Sequence, residues 1–268
     1  MDRRTFLTLA AAGAAFPLGA DPAKAESAKA DPGKADPGKA APPPARNVVL
    51  VHGLFADGSC WSEVIGRLQM AGLTVTSVQN PLTTLDEAVA SVRRVLARQD
   101  GPTVLVGHSF AGMIVSEAGT DPNVSALVYV AARAPDAGED YAALARTFPT
   151  PPASAGIVFD GEYGRLGEAA FLRDFAGDLP EAKAKVLYAV QQPFAKALLA
   201  GRTTQAAWRS KPSFYAVSTE DRTIDPDLER FMAKRMGATT IEVTASHLSL
   251  ISQPDTIAML ILNAAGRP

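Results

Sequence analysis

Val104-Leu105-Val106-Gly107-His108-Ser109-Phe110-Ala111-Gly112 is an apolar run that breaks at a glycine, presents one serine between small residues, and resumes with helix-like spacing. A serine on a regular strand or helix is shielded by its neighbours. On a sharp strand-to-helix corner its Oγ is exposed and its backbone strained. Such a corner needs small side chains where helix and strand approach. Gly107 and Ala111 lie two before and two after Ser109, with Ala111 one methyl larger than the usual glycine and Gly112 directly behind it. The segment predicts Ser109 as a nucleophile at the end of a buried strand.

A Gly-x-Ser-x-small pentapeptide also occurs by chance, so its partners must be found elsewhere in the chain. Upstream, the buried-strand run Asn47-Val48-Val49-Leu50-Val51 ends in His52-Gly53-Leu54. Acyl transfer builds negative charge on a carbonyl oxygen, and one backbone N–H aimed at that oxygen contributes about 2.7–4 kcal/mol. The amides of Leu54 and of Phe110, the residue after the nucleophile, are the expected donors of this oxyanion hole. Read without the serine corner, the same turn would merely redirect the chain.

Downstream, the strand-like Pro212-Ser213-Phe214-Tyr215-Ala216-Val217-Ser218 opens into Thr219-Glu220-Asp221-Arg222-Thr223-Ile224-Asp225. A carboxylate bonded to imidazole Nδ1 fixes the tautomer and stabilises the imidazolium. Position just past the strand end favours Asp221 over its rivals Glu220 and Asp225. The chain has three histidines. His52 and His108 belong to the two motifs above, which leaves His247, after the strand-like Thr239-Thr240-Ile241-Glu242-Val243, as the base that works near neutral pH. His108 is expected to pack in support.

With these residues in place, the chain after its first four dozen residues resembles the α/β-hydrolase superfamily. Val51-His52-Gly53, Gly107-His108-Ser109, Thr219-Glu220-Asp221-Arg222-Thr223-Ile224 and Ser246-His247-Leu248-Ser249-Leu250 are similar to the branch of plant methylesterases and hydroxynitrile lyases. The resemblance implies a catalytic triad of Ser109, His247 and Asp221, no cofactor, and a small helical cap over a mostly apolar pocket. The lyases carry a threonine in the oxyanion turn and a lysine after the catalytic histidine. Here Gly53-Leu54 and Leu248 stand at those places. Without a cation for departing cyanide, ester hydrolysis by a carboxylesterase-like enzyme is expected over carbon–carbon cleavage. A non-catalytic protein that binds a small ligand on the same fold is the remaining alternative.

Strands are expected near 47–52, 73–78, 102–107, 124–131, 212–218 and 239–244, with amphipathic helices at 63–71, 86–98, 111–119, 227–236 and 256–264. This alternation predicts an α/β fold with a mostly parallel sheet of about six strands flanked by helices. Ligands of such sheets bind beyond the carboxyl ends of the strands, where Ser109, Asp221 and His247 would gather. About eighty residues separate Ala131 from Pro212. That is too many for one crossover, and it predicts a cap at about 136–208, with helical pieces at 167–175, 180–190 and 193–199. The cap's apolar residues, Phe171, Phe175 and Phe194 among them, show no paired-arginine clamp in sequence, so an uncharged ester of modest size is the expected small-molecule substrate.

The N-terminus, Met1-Asp2-Arg3-Arg4-Thr5-Phe6-Leu7 followed by an alanine-rich apolar stretch, resembles a twin-arginine (Tat) export signal. The stretch is shorter than the roughly 20 residues of a membrane span. A signal over 1–25 is expected to engage the Tat export machinery, leaving a periplasmic or secreted bacterial protein with no stable membrane insertion after cleavage. Residues 26–45 continue a degenerate five-residue repeat such as Asp31-Pro32-Gly33-Lys34-Ala35. Lacking large apolar side chains, they predict a flexible linker, so the hydrolase domain is expected over 46–268. A net charge of −2 with no basic cluster argues against nucleic acid. The single cysteine, Cys60, excludes an intramolecular disulfide, and no His or Cys spacing suggests a metal site.

Overall fold

The computed structural model describes residues 44–267. Near-continuous aliphatic runs mark strands buried on both faces, the condition of a parallel sheet covered by helices. Six such runs form β1 (Asn47–Val51), β2 (Thr74–Val78), β3 (Thr103–His108), β4 (Val124–Val130), and, after a long insertion, β8 (Ser213–Ser218) and β9 (Thr239–Val243). They make one parallel sheet in the order β2-β1-β3-β4-β8-β9. The partly exposed β2 and β9 are its edges, and β1 and β3 are wholly buried.

The chain runs outward from β1 to β2, then returns across β1 to β3 and continues the other way. The strand order therefore reverses between β1 and β3, and a crevice opens beyond their carboxyl ends. The oxyanion turn leaves β1 there, and the serine corner leaves β3. Between strands run α1 (Ser62–Met70), α2 (Leu85–Leu96) and α3 (Ala111–Ala118), and later the helices Pro226–Met236 and Pro254–Ala264. The expected helix positions hold to within two residues. All of α3 is buried, and it packs on α2, while α1 packs on the C-terminal helix.

The three helical pieces expected in the insertion are present, the last of them shorter, beside elements that were not expected. Its helical pieces are Tyr141–Ala145, Glu168–Ala170 running into a π-helical turn at Phe171–Phe175, Glu181–Ala189 and Lys196–Leu199. It also holds an antiparallel ribbon of β5 (Ile157–Asp160), β6 (Tyr163–Leu166) and β7 (Phe194–Ala195). Asp160 pairs with Tyr163 across a two-residue turn in which Gly161 has φ of +56°. Glycine at such a turn flanked by β-branched and aromatic residues is a hairpin signal.

The expected signal over 1–25 and most of the expected linker over 26–45 lie outside the described residues. Ala45, the last residue of that linker, is buried, and its N–H donates to the Ala265 carbonyl at 2.9 Å, so it is part of the packed domain. Among the described residues, no helix is long and apolar enough to cross a membrane.

Candidate active site

Ser109 occupies the corner between β3 and α3 with φ of +57°, a left-handed conformation that costs a non-glycine residue of order 1–3 kcal/mol. The surrounding backbone holds it there. Its N–H donates to Val130 at 3.1 Å, and its carbonyl accepts from Gly112 at 3.1 Å and from Arg133 at 2.9 Å. The flanking glycines are required by close approach. A Cβ on Gly107 would lie 2.7 Å from the Val115 side chain and 2.9 Å from the Ala111 carbonyl, and one on Gly112 would overlap the Arg133 carbonyl. Ala111 fits without exposure.

The turn after β1 comes against this corner. A Cβ on Gly53 would stand 2.6 Å from Ser109 Cβ and 3.2 Å from its Oγ. The next residues, Leu54 and Phe55, line a small cavity together with Ser109. Among the described residues the Leu54 and Phe110 amides have no backbone acceptor, and Phe110 stands at the N-terminus of α3, where N–H groups lack helical partners. His52 is buried and donates from Nδ1 to the Gly53 carbonyl at 2.9 Å, which braces the turn. Burial lowers its pKa, keeping the ring neutral.

Asp221 and His247, in the loops after β8 and β9, meet in the interior. Nδ1 of His247 and Oδ2 of Asp221 are 2.5 Å apart, with both side chains fully buried. The other Asp221 oxygen accepts from the Thr223 and Ile224 amides at 2.6 and 3.0 Å, which fixes the carboxylate. With Nδ1–H donating to Asp221, Nε2 of His247 carries its lone pair and has no partner. In unliganded enzymes the serine–histidine bond is often long and tightens with substrate. The rivals are otherwise occupied: Glu220 is exposed, and Asp225 caps the helix Pro226–Met236 through the Asp227 and Leu228 amides. His108 donates from Nε2 to the His247 carbonyl at 2.9 Å. Burial puts its pKa well below the ordinary value, so it acts as a neutral brace, the supporting role expected of it.

Several residues here went unrecognised in sequence. Glu229 is wholly buried behind Asp221, with one oxygen accepting from the Ser218 amide at 3.1 Å and the other unpartnered. Burial and the neighbouring Asp221 push its pKa well above the usual carboxylate range. The π-helical turn carries Asp174, which pairs with Arg222 at 2.7 Å and accepts at its carbonyl from the Thr223 hydroxyl. Just beyond it, Asp178 accepts from the Ser246 amide at 3.0 Å. Cap residues thus pin both the acid loop and the histidine loop. Phe175 in the same turn packs on His247 and Phe55, with ring centroids 5.2 and 5.6 Å apart. Arg133, past the end of β4, lines the small cavity with Ser109. An arginine directly after a strand on the carboxyl side of the sheet was the one legible sign of it.

Among the described residues, no group of three or more His, Cys, Asp or Glu side chains is placed to hold a metal ion. The arrangement can activate a hydroxyl for attack on an acyl carbon and accept the developing oxyanion on two amides. The model of the "Alpha/beta hydrolase family" matches residues 48–260. "Methylesterase 7" of Arabidopsis thaliana is 26% identical over 256 residues, covering 83% of this chain and 97% of that protein. "Pyrethroid hydrolase" of Sphingobium wenxiniae is 23% identical over 256 residues, covering 83% and 88%. The crystal structure of polyneuridine aldehyde esterase superposes with a TM-score of 0.69 at 20% identity over 81% of this chain and 98% of that one, which shows a shared fold. The chain belongs to the alpha/beta hydrolase family and, within it, is a carboxylesterase-like member similar to the methylesterase branch.

Proposed function

We propose that the protein is a serine hydrolase that cleaves a small carboxylic ester, uncharged at the scissile bond, through a Ser109 acyl-enzyme. His247 takes the Ser109 proton as the oxygen attacks, the Leu54 and Phe110 amides receive the oxyanion, and His247 returns the proton to the departing alcohol. Water, activated by the same imidazole, then releases the acid. The observation that carries this reading is the buried His247–Asp221 contact, which leaves Nε2 of His247 without a hydrogen-bond partner and so able to take a proton. The esterase names of the relatives support the same chemistry. In the test, short-chain p-nitrophenyl esters and a fluorophosphonate probe are applied to the purified chain. Turnover with the adduct on the Ser109 peptide is expected, whereas a folded sample with neither outcome would favour a ligand-binding protein.

A cyanohydrin lyase needs a cation for the departing cyanide. None stands beside His247 in sequence, but Arg133 lines the Ser109 cavity. Release of cyanide from mandelonitrile by the wild-type chain, faster than any ester is cleaved, would move the lyase reading ahead. We further propose Tat-dependent export to the periplasm or medium, supported by the Arg3-Arg4 pair before the apolar stretch. Fractionation of a host with and without the twin-arginine translocase tests it, and retention in the cytoplasm of both would defeat it.

A further inference from the structure

Arg133 is a half-buried cation without a counter-ion among the described residues. Its Nε is sealed from solvent and has no hydrogen-bond partner. The guanidinium lies over two rings, with its central carbon 5.3 Å from the Phe110 centroid and 4.6 Å from that of Tyr141. Neither ring carries charge, since burial pushes the Tyr141 hydroxyl up to about 12. Nearby carboxylates are committed elsewhere, Asp140 to Arg202 at 2.8 Å and Glu139 to Arg235 at 2.8 Å. Among the described residues, Arg133 makes no ion pair.

Its position gives this isolation a use. Arg133 lines two adjoining spaces, a cavity of about 130 Å³ that contains Ser109 and an outer one of about 580 Å³. Arg146 and Arg202 also line the outer space, against the single carboxylate of Asp140. A charge withdrawn from water without a counter-ion is destabilising. A ligand carboxylate placed against the free edge of the guanidinium would remove that cost through charge-assisted hydrogen bonds. Tyr141 also bonds the guanidinium, but neither ring neutralises its charge, a preorganisation suited to an incoming anion.

We propose that Arg133 is the docking point for a carboxylate carried by the substrate away from its scissile bond, so that the preferred substrate is a carboxylate-bearing ester. This rests on the hydrolase reading of Ser109 and corrects the sequence-based expectation of a wholly uncharged substrate. The reaction itself is unchanged: water adds across the acyl–oxygen bond and gives an acid and an alcohol.

The test compares pairs that differ only in methylation of the remote carboxylate. Monomethyl dicarboxylates from succinate to suberate are set against their dimethyl esters, and acetoxyalkanoates against their methyl esters, with turnover followed by titration of released acid. At the best chain length of one series, kcat/KM of the wild type is expected to favour the anion at least about tenfold, the scale of one hydrogen bond to a charged group. The preference should vanish in Arg133→Leu and persist in part in Arg133→Lys. Equal rates within every pair, or a preference that survives Arg133→Leu, would overturn the proposal. The wild-type comparison decides alone if Arg133→Leu does not fold. If nothing is turned over, hydrolysis is at fault, and calorimetry of the Ser109→Ala chain with monomethyl adipate still reads the subsite. Binding there that is weakened in Ser109→Ala/Arg133→Lys and lost in Ser109→Ala/Arg133→Leu supports it, and no binding, or binding that survives Arg133→Leu, refutes it.

Discussion

The turns at the carboxyl edge of the sheet and the ribbon of the cap both border the Ser109 cavity, yet they are held by different means. The turns are fixed by backbone approach so close that a methyl group on Gly53 or Gly107 would collide with its neighbours, and Ser109 is 6% exposed. The ribbon is fixed by a few aromatic contacts, and Val158, Phe159 and Tyr163 are each exposed by 44% or more. A site whose reacting atoms must be placed to a fraction of an ångström sits on the first kind of structure. The part that must fit a particular substrate is built on the second.

The contrast predicts a steep gradient of effects. Ser109→Ala should lower kcat for ester cleavage on the order of 10⁴- to 10⁶-fold while the melting temperature stays within a few degrees. Activity near that of the wild type would remove the nucleophile from the mechanism. Gly53→Ala forces a methyl against Ser109 Cβ, shifting both the Leu54 amide and the serine. A loss of about 10²- to 10³-fold in kcat is expected, the size of a lost oxyanion donor. An unimpaired Gly53→Ala would show that the turn has slack and that its N–H groups are not aimed. In the cap, buried Phe194 packs edge-on to Phe55 and Phe159 at 5.6 and 5.9 Å. Phe194→Ala is expected to cost about 3 kcal/mol of stability. Because the reacting groups lie on other elements, it should raise KM more than it lowers kcat, and steady-state kinetics with a chain-length series separates the two.

The same contrast explains what was legible in the sequence. Close approach leaves its mark as glycine, so the oxyanion turn and the serine corner could be read directly, and the parallel sheet followed from runs such as Val104-Leu105-Val106. Asp221 could be chosen over Glu220 and Asp225 by its distance from the end of β8. The cap ribbon was missed although Asp160-Gly161 is a hairpin signal, because four-residue strands do not distinguish period 2 from 3.6. The π-helical turn is held by Asp174 and Asp178 contacting loops far along the chain, and local sequence does not encode such pairing. Arg133 and Glu229 were overlooked for a related reason. Each looks like an ordinary charged residue until its surroundings are known, and what singles them out is a missing partner in one and a neighbouring carboxylate in the other.

Glu229 yields the smallest of the expected effects. Its pKa lies well above the ordinary 4.5 because burial and Asp221 both oppose its charge. In the unfolded chain it loses its proton near the ordinary value, while in the folded chain it holds that proton to higher pH. Between those two points the native state binds more protons than the unfolded one, so stability falls as pH rises, by at most about 1.4 kcal/mol per pH unit for one group. Glu229→Gln has the shape of the protonated acid: its carbonyl can accept from the Ser218 amide, and its NH₂ can face Asp221. It removes the titration without removing the contacts. Melting curves of the two proteins should therefore lie close together near pH 4.5 and diverge upward from it, with the glutamine variant gaining on the wild type at each step. Parallel curves from pH 5 to 8 would mean that Glu229 is ionised in the folded protein. The charge behind Asp221 would then be double, and the acid loop would be held against a repulsion that its two amide hydrogen bonds alone must offset.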